Sequence, residues 1–207
     1  MSIKSWGVSN EWSLFLDRDG VINQRIFNGY VTRVEDFHFC KGAVESIASL
    51  SNIFSQTFVV TNQQGVGKKI MTECNLKEIH TYMCDSVVRL GGRIEKVYFA
   101  SNLKDELPDN RKPLPAMALM AKSEYPSVDF EKSIMVGDTD SDILFGKNLG
   151  MKTIRVLSEE PIEVEADLNV SGLEELLKII QNEIIRFDED LVDNSHNMLF
   201  WKKISKR

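Results

Sequence analysis

Short apolar runs recur along this chain, and each is followed by a stretch whose apolar residues repeat at helical spacing. Trp12–Asp17, Phe58–Thr61, Ile94–Ala100, Ser133–Val136 and Lys152–Val156 read as strands. Runs of this kind suit strands covered on both faces. Between them, Ala43, Ile47, Leu50 and Phe54 share one helical face. Leu76, Ile79, Met83 and Val87 share another, after Thr72 as a cap and before Gly91-Gly92 as a stop. Pro115–Tyr125 reads as a helix opening on proline, and Asp140–Leu149 as one stopped by Gly150. Ser171 is expected to cap a last helix over Leu173–Ile185. Strand–helix alternation predicts an α/β fold: a doubly wound, Rossmann-like parallel sheet with helices on both faces. Residues 1–185 then form one domain, and 186–207 a tail whose acidic half precedes Met198-Leu199-Phe200-Trp201. That tail is expected to dock its aromatic cluster on the core, with self-association as the alternative.

Polar residues at the ends of the runs change the picture from a fold to a site. In open α/β sheets the ligand crevice lies at the carboxyl ends of the strands. Three predicted strands end there in Asp17, Thr61 and Asp138, and Arg111-Lys112-Pro113 precedes a helix. A carboxylate at the end of a buried strand is costly unless it does chemistry. The combination suits transfer of a phosphoryl group to a carboxylate. Asp17 is the candidate nucleophile. Asp19 is the candidate general acid and base, a role that needs a raised pKa. The Thr61 hydroxyl and Lys112 can hold phosphate oxygens. Asp138, a hard oxygen ligand, is suited to share Mg²⁺ with Asp17. Asp142, one helical turn on, is placed either to orient Lys112 or a metal-bound water, or simply to balance a helix N-terminus.

These residues resemble the haloacid dehalogenase (HAD) superfamily of phosphohydrolases, from about Trp12 to Ile180. The strings Asp17-Arg18-Asp19-Gly20-Val21-Ile22-Asn23, Gly29-Tyr30-Val31, Phe37-His38-Phe39, Thr61-Asn62-Gln63-Gln64-Gly65-Val66-Gly67 and Arg111-Lys112-Pro113 sharpen the likeness. They are similar to the subfamily of D,D-heptose 1,7-bisphosphate and histidinol-phosphate phosphatases, the former more closely. The resemblance implies Asp17 as nucleophile, Asp19 as acid/base, and Thr61 with Lys112 on the phosphate. It also implies Mg²⁺ held by Asp17, Asp138 and the backbone carbonyl of Asp19, with Arg111, Asn62 and Gln63 facing the substrate. One departure stands out. Zinc-bearing members carry a Cys/His cluster before the Arg-Lys-Pro element, whereas residues 100–110 here hold neither type, so no zinc is expected.

The intervals from Asp19 to Thr61 and from Thr61 to Lys112 are each filled by a helix and a strand, so no separate cap domain is expected. The Gln24–Phe39 and Gln63–Met71 loops are then the selectivity elements. Net charge is −6, which offers no basic field for nucleic acid or an anionic membrane. No run approaches the ~20 apolar residues of a membrane span, and no leader peptide is visible at the start. Cys40, Cys74 and Cys84, odd in number and without a Cys-x-x-Cys pair, point to free thiols and a cytoplasmic location. His38, His80 and His196 read as packing or surface groups, and Cys40 as a small buried one. Gly65-Val66-Gly67-Lys68 lacks full phosphate-loop spacing, which leaves Lys68 or Lys69 for a second phosphate. The expected substrate is a small sugar phosphate such as heptose 1,7-bisphosphate, with histidinol phosphate next, and the expected assembly a monomer or weak homodimer. A phospho-accepting receiver domain and a non-catalytic relative are the competing classes.

Overall fold

The computed structural model describes residues 6–104 and 106–184. Six strands form one sheet: β1 (Ser13–Leu16), β2 (Gln56–Asn62), β3 (Lys96–Ala100), β4 (Ser133–Gly137), β5 (Lys152–Val156) and β6 (Leu168–Val170). Their spatial order is β3-β2-β1-β4-β5-β6, and every pairing is parallel. The chain therefore winds outward from β1 to β3, returns past β1, and winds outward again on the other side. The reversal lies between β1 and β4, where helices on opposite faces leave a crevice at the strand ends. Leu16 stands in register with Val59 and Val136, so the residues after β1 and β4 emerge side by side.

Alternation along the strands splits the core in two. Leu14 and Leu16 point into one cluster with Val59, Ile134 and Val136. Helices α1 (Ala43–Ile53) and α3 (Glu73–Arg89), and the helix over residues 173–184, cover it with Ile47, Ile79 and Leu176. Phe15, Phe58 and Met135 point the other way, under α4 (Ala116–Glu124) and α5 (Asp140–Asn148), which contribute Met117, Ala118 and Phe145. All four β1 residues are buried. Apart from Ser13 at its start, whose hydroxyl donates to Gln56 Oε1, β1 is apolar, and polarity resumes at Asp17.

Most predicted elements are present within a residue or two. Thr72 caps α3 as expected: Asn75 N–H donates to its hydroxyl, and Thr72 N–H donates to the Asn75 side chain. Ser171 behaves differently. Its N–H and hydroxyl donate to the Glu175 carboxylate, so it is the helix acid that reaches back. Two elements had no sequence signal. β6 is too short to show a period, and α2 (Gln64–Gly67) contains two glycines. Tertiary contact holds α2: the Gly67 N–H donates to Ser101 O at 3.0 Å, and a Cβ there would lie 2.4 Å from that oxygen. Among the described residues no cap domain sits over the sheet. The tail over 186–207, with His196, lies outside the described residues.

Candidate active site

Asp17 stands first after β1, and its N–H donates to Val136 O at 2.8 Å. Its carboxylate meets Lys112, which lies just ahead of α4. Lys112 Nζ is 2.7 Å from Asp17 Oδ1, 2.6 Å from Asp142 Oδ1 and 2.7 Å from Val60 O. All three side chains are buried, so the lysine is locked between two carboxylates and a strand carbonyl. Asn62, at the end of β2, fixes the lysine from behind. Its Oδ1 accepts from Lys112 N–H at 2.9 Å, and its Nδ2 donates to Lys112 O at 3.2 Å.

Asp142 serves both roles considered for it. Its Oδ2 accepts from Thr139 N–H at 3.0 Å, completing the N-terminal turn of α5, while Oδ1 binds Lys112. Asp138 follows β4. Gly20 makes room for it: with φ at +92°, a Cβ there would lie 2.2 Å from Asp138 Oδ2. Oxygens of Asp17, Asp138 and Asp142 all lie within 4.8 Å of one another.

The electrostatics follow from packing acids so tightly. Burial, partly offset by Lys112, pushes the Asp17 pKa up to about 6. Burial and the neighbouring Asp17 push Asp138 up to about 8. Asp142 goes the other way: Lys112 and the Thr139 hydrogen bonds outweigh burial and hold it below the usual carboxylate range. Lys112 is raised, because Asp142 and Asp17 outweigh its own desolvation.

Asp19 is held by three donors. Burial pulls its pKa up, but the Arg18 charge and hydrogen bonds from Arg18, Asn23 and Gln63 outweigh it, and the net shift is downward. Arg18 Nη2 and Asn23 Nδ2 each donate to Oδ1 at 3.0 Å, and Gln63 Nε2 donates to Oδ2 at 2.7 Å. The raised pKa that an acid role calls for is therefore absent before substrate arrives. Gln63, expected to face the substrate, is 1% exposed and spends its amide on Asp19 and on Thr61 Oγ1, 2.9 Å away. It supports the site from beneath.

Arg111, Asn62, Thr61 and Lys112 line one cleft of about 650 Å³ with Asp17 and Asp19. Its walls come from Arg25–Val31 and from Gln64, Lys68 and Ile70, as the two expected loops require. Lys68 lines the cleft, 2.9 Å from Tyr30 Oη, whereas Lys69 does not. Two residues were not foreseen. Arg25 Nη2 lies 2.9 Å from Asp138 Oδ1 and 3.4 Å from Asp19 O, and its Nη1 donates to Glu160 Oε1 at 2.8 Å. Arg155, buried, donates to Asp138 O at 3.0 Å. A basic residue near a motif is visible in sequence, but the carboxylate it turns toward is not. His38 is exposed and Cys40 half-buried, with burial pushing the Cys40 thiol up to about 11.

A doubly wound sheet with a lysine-clamped aspartate after its first strand, and two more acids after its fourth, defines a hydrolase of the HAD type. Residues 110–169 match the HAD-hydrolase-like family model. The chain is 33% identical over 157 residues to a D-glycero-beta-D-manno-heptose-1,7-bisphosphate 7-phosphatase of Helicobacter pylori, covering 75% of this chain and 88% of that one. It is 34% identical over 173 residues to a D-glycero-alpha-D-manno-heptose-1,7-bisphosphate 7-phosphatase of Campylobacter jejuni, covering 84% and 98%. The fold superposes on a D,D-heptose 1,7-bisphosphate phosphatase from B. bronchiseptica, solved with magnesium and phosphate, with a TM-score of 0.74 and 23% identity over 83% of this chain and 99% of that chain. The chain belongs to the HAD-like hydrolase family that contains these 7-phosphatases, and it is a phosphoric monoester hydrolase. The receiver and non-catalytic readings are thereby set aside.

Proposed function

We propose that the chain removes the 7-phosphate of a D-glycero-D-manno-heptose 1,7-bisphosphate in a Mg²⁺-dependent reaction through an aspartyl-phosphate on Asp17. The observation that supports it most is the arrangement around Asp17, which Lys112 clamps within a buried acid cluster at the floor of the cleft. The donor set suits a hard divalent cation. Asp138 Oδ2 is buried without a hydrogen-bond partner among the described residues, and burial raises both Asp17 and Asp138 as it does acids short of positive charge. Asp17, Asp138 and the Asp19 carbonyl would hold the ion, which supplies the charge that lets an anionic carboxylate approach an anionic phosphate.

The chain's own groups supply the rest. Asp17 forms a bond to phosphorus as the bond to the sugar oxygen breaks, and Asp19 gives that oxygen a proton. Water then attacks the aspartyl-phosphate, Asp19 takes its proton, and phosphate leaves. Asp19 is held ionised at rest, so the acid step needs a rise in its pKa, and an incoming phosphate dianion provides the like charge that causes one. Thr61 Oγ1 and Lys112 Nζ bind the transferring group. Lys68 and Arg111, on the same cleft, meet the second phosphate.

The two similar 7-phosphatases differ in the anomer they are named for, so both anomers belong in the assay. On this reading the enzyme acts in the cytoplasm on a free metabolite, as a monomer or weak homodimer, and the net charge of −6 is consistent with that. Among the described residues no helix is long and apolar enough to cross a membrane. The test is phosphate release from both heptose bisphosphate anomers, histidinol phosphate and other sugar phosphates, with and without Mg²⁺. Asp17→Asn should lose at least about 10⁴-fold in turnover while remaining folded. Full activity in that variant, or a preference for histidinol phosphate, would overturn the mechanism or the substrate respectively.

A further inference from the structure

Arg18 sits between the two catalytic aspartates, yet its side chain is only 1% exposed. A buried guanidinium needs partners for its N–H groups, because each unpaired one carries a desolvation cost. Nη2 finds Asp19, at 3.0 Å from Oδ1 and 2.9 Å from Oδ2. Nη1 lies 3.2 Å from His80 Nε2, on α3. Nε has no partner among the described residues. The orientation of Arg18 thus rests on its two terminal nitrogens and on the Phe37 ring, whose centroid is 5.9 Å from Cζ.

The contact with His80 has only one chemical sense. Arginine has no acceptor, so Nη1 donates, Nε2 accepts with its lone pair, and the imidazole proton resides on Nδ1. The ring is buried and packs 5.8 Å from Phe99, centroid to centroid. Burial, then the Arg18 charge, lowers its pKa to about 3, which keeps it neutral and able to accept.

We propose that His80 is a positioning residue for the acid–base step: by accepting from Arg18 Nη1, it aims Arg18 Nη2 at the Asp19 carboxylate. Without that acceptor both Nε and Nη1 are buried and unpaired. The guanidinium then turns to recover partners and carries its bond to Asp19 with it. His80 does not line the cleft, and the contacts of Lys112 with Asp17 and Asp142 do not involve it, so its loss leaves that clamp in place. The proposal rests on the acid–base role proposed above for Asp19.

The discriminating measurement is kcat/KM, which covers the steps through departure of the leaving group. A heptose bisphosphate leaves as an alkoxide and needs the proton from Asp19, whereas p-nitrophenyl phosphate has a stable leaving group and needs little help. His80→Leu should lower kcat/KM for the heptose bisphosphate about 10- to 100-fold, and for p-nitrophenyl phosphate less than about 3-fold. His80→Gln, whose side-chain oxygen can accept, should restore most of the loss. Equal losses for both esters, or none, in a folded His80→Leu protein would overturn the proposal. Asp19→Asn is the control: equal losses for both esters there would overturn the acid–base role itself. Should His80→Leu fail to fold, ¹⁵N NMR of the wild-type chain decides. A neutral His80 protonated on Nδ1 supports the proposal, and a ring protonated on Nε2 overturns it.

Discussion

Replacing Lys112 by methionine keeps the length of the side chain and deletes the cation that separates Asp17 from Asp142. Both acids offer an oxygen to Nζ, at 2.7 and 2.6 Å, and oxygens of the two acids lie within 4.8 Å of each other. Two unit charges at 4.8 Å, in the effective dielectric of about 20 that fits protein sites, repel by about 3–4 kcal/mol. Removal of one partner from a buried ion pair costs about 3–5 kcal/mol by a separate route. The two figures agree in scale, so Lys112→Met should lower stability by about 3–4 kcal/mol in chelator-treated buffer at pH 7.5. For a chain of 207 residues that corresponds to a fall in Tm of roughly 10 °C.

The informative comparison is with Asp142→Asn. In the wild-type background this substitution removes a partner of Lys112 and should destabilise. In the Lys112→Met background it removes the repulsion and should recover about 2–3 kcal/mol. Urea denaturation of the four proteins gives the cycle directly. If Asp142→Asn destabilises both backgrounds equally, the charge clamp is not what holds this site together.

The same cluster fixes a sign for pH. Burial raises the Asp17 pKa to about 6, above its unfolded value near ~4. Its contribution to stability is therefore full below about 4 and is lost as pH rises through 6. Lys112→Met should enlarge that loss and carry it to higher pH, because the cation that offsets burial is gone.

His80 titrates in the opposite sense. Its folded pKa of about 3 lies below an unfolded value near 6.5, so the unfolded chain takes up a proton first as pH falls. Between pH 7.5 and 5 the wild type should lose about 2 kcal/mol relative to His80→Gln, measured by urea denaturation. Parallel profiles for the two proteins would show that His80 is not held neutral. Arg25 binds Asp138 Oδ1 and reaches the Asp19 carbonyl, on two of the residues proposed to hold Mg²⁺, so the two cations would compete. Arg25→Ala should tighten Mg²⁺ binding by about 10-fold in calorimetry, the scale of one lost charge contact near a surface. Unchanged or weaker binding would mean that arginine and metal occupy different oxygens.

What the chain reveals without its fold is governed by short-range rules. Apolar runs and helical spacing depend on neighbours in sequence, so β1, β4, β5, α1 and the Thr72 cap of α3 were all legible. The acids and Thr61 were legible for a related reason: a polar group at the end of a buried strand violates the local pattern, while Lys112 was legible from the Arg-Lys-Pro string ahead of α4. Other features depended on distant segments of chain. β6 and α2 are made by what they pack against, and neither has enough residues to show a period. Asn62 lines the cleft as expected while its amide also holds the Lys112 backbone, whereas the buried Gln63 spends its amide on Asp19 and Thr61. The downward shift of Asp19 and the joining of His80 to it through Arg18 have the same origin. Sequence determined which candidate residues stand together at the carboxyl edge of the sheet. Only the tertiary structure decided which charges face one another, because hydrogen-bond direction and burial are set by segments far apart in the chain.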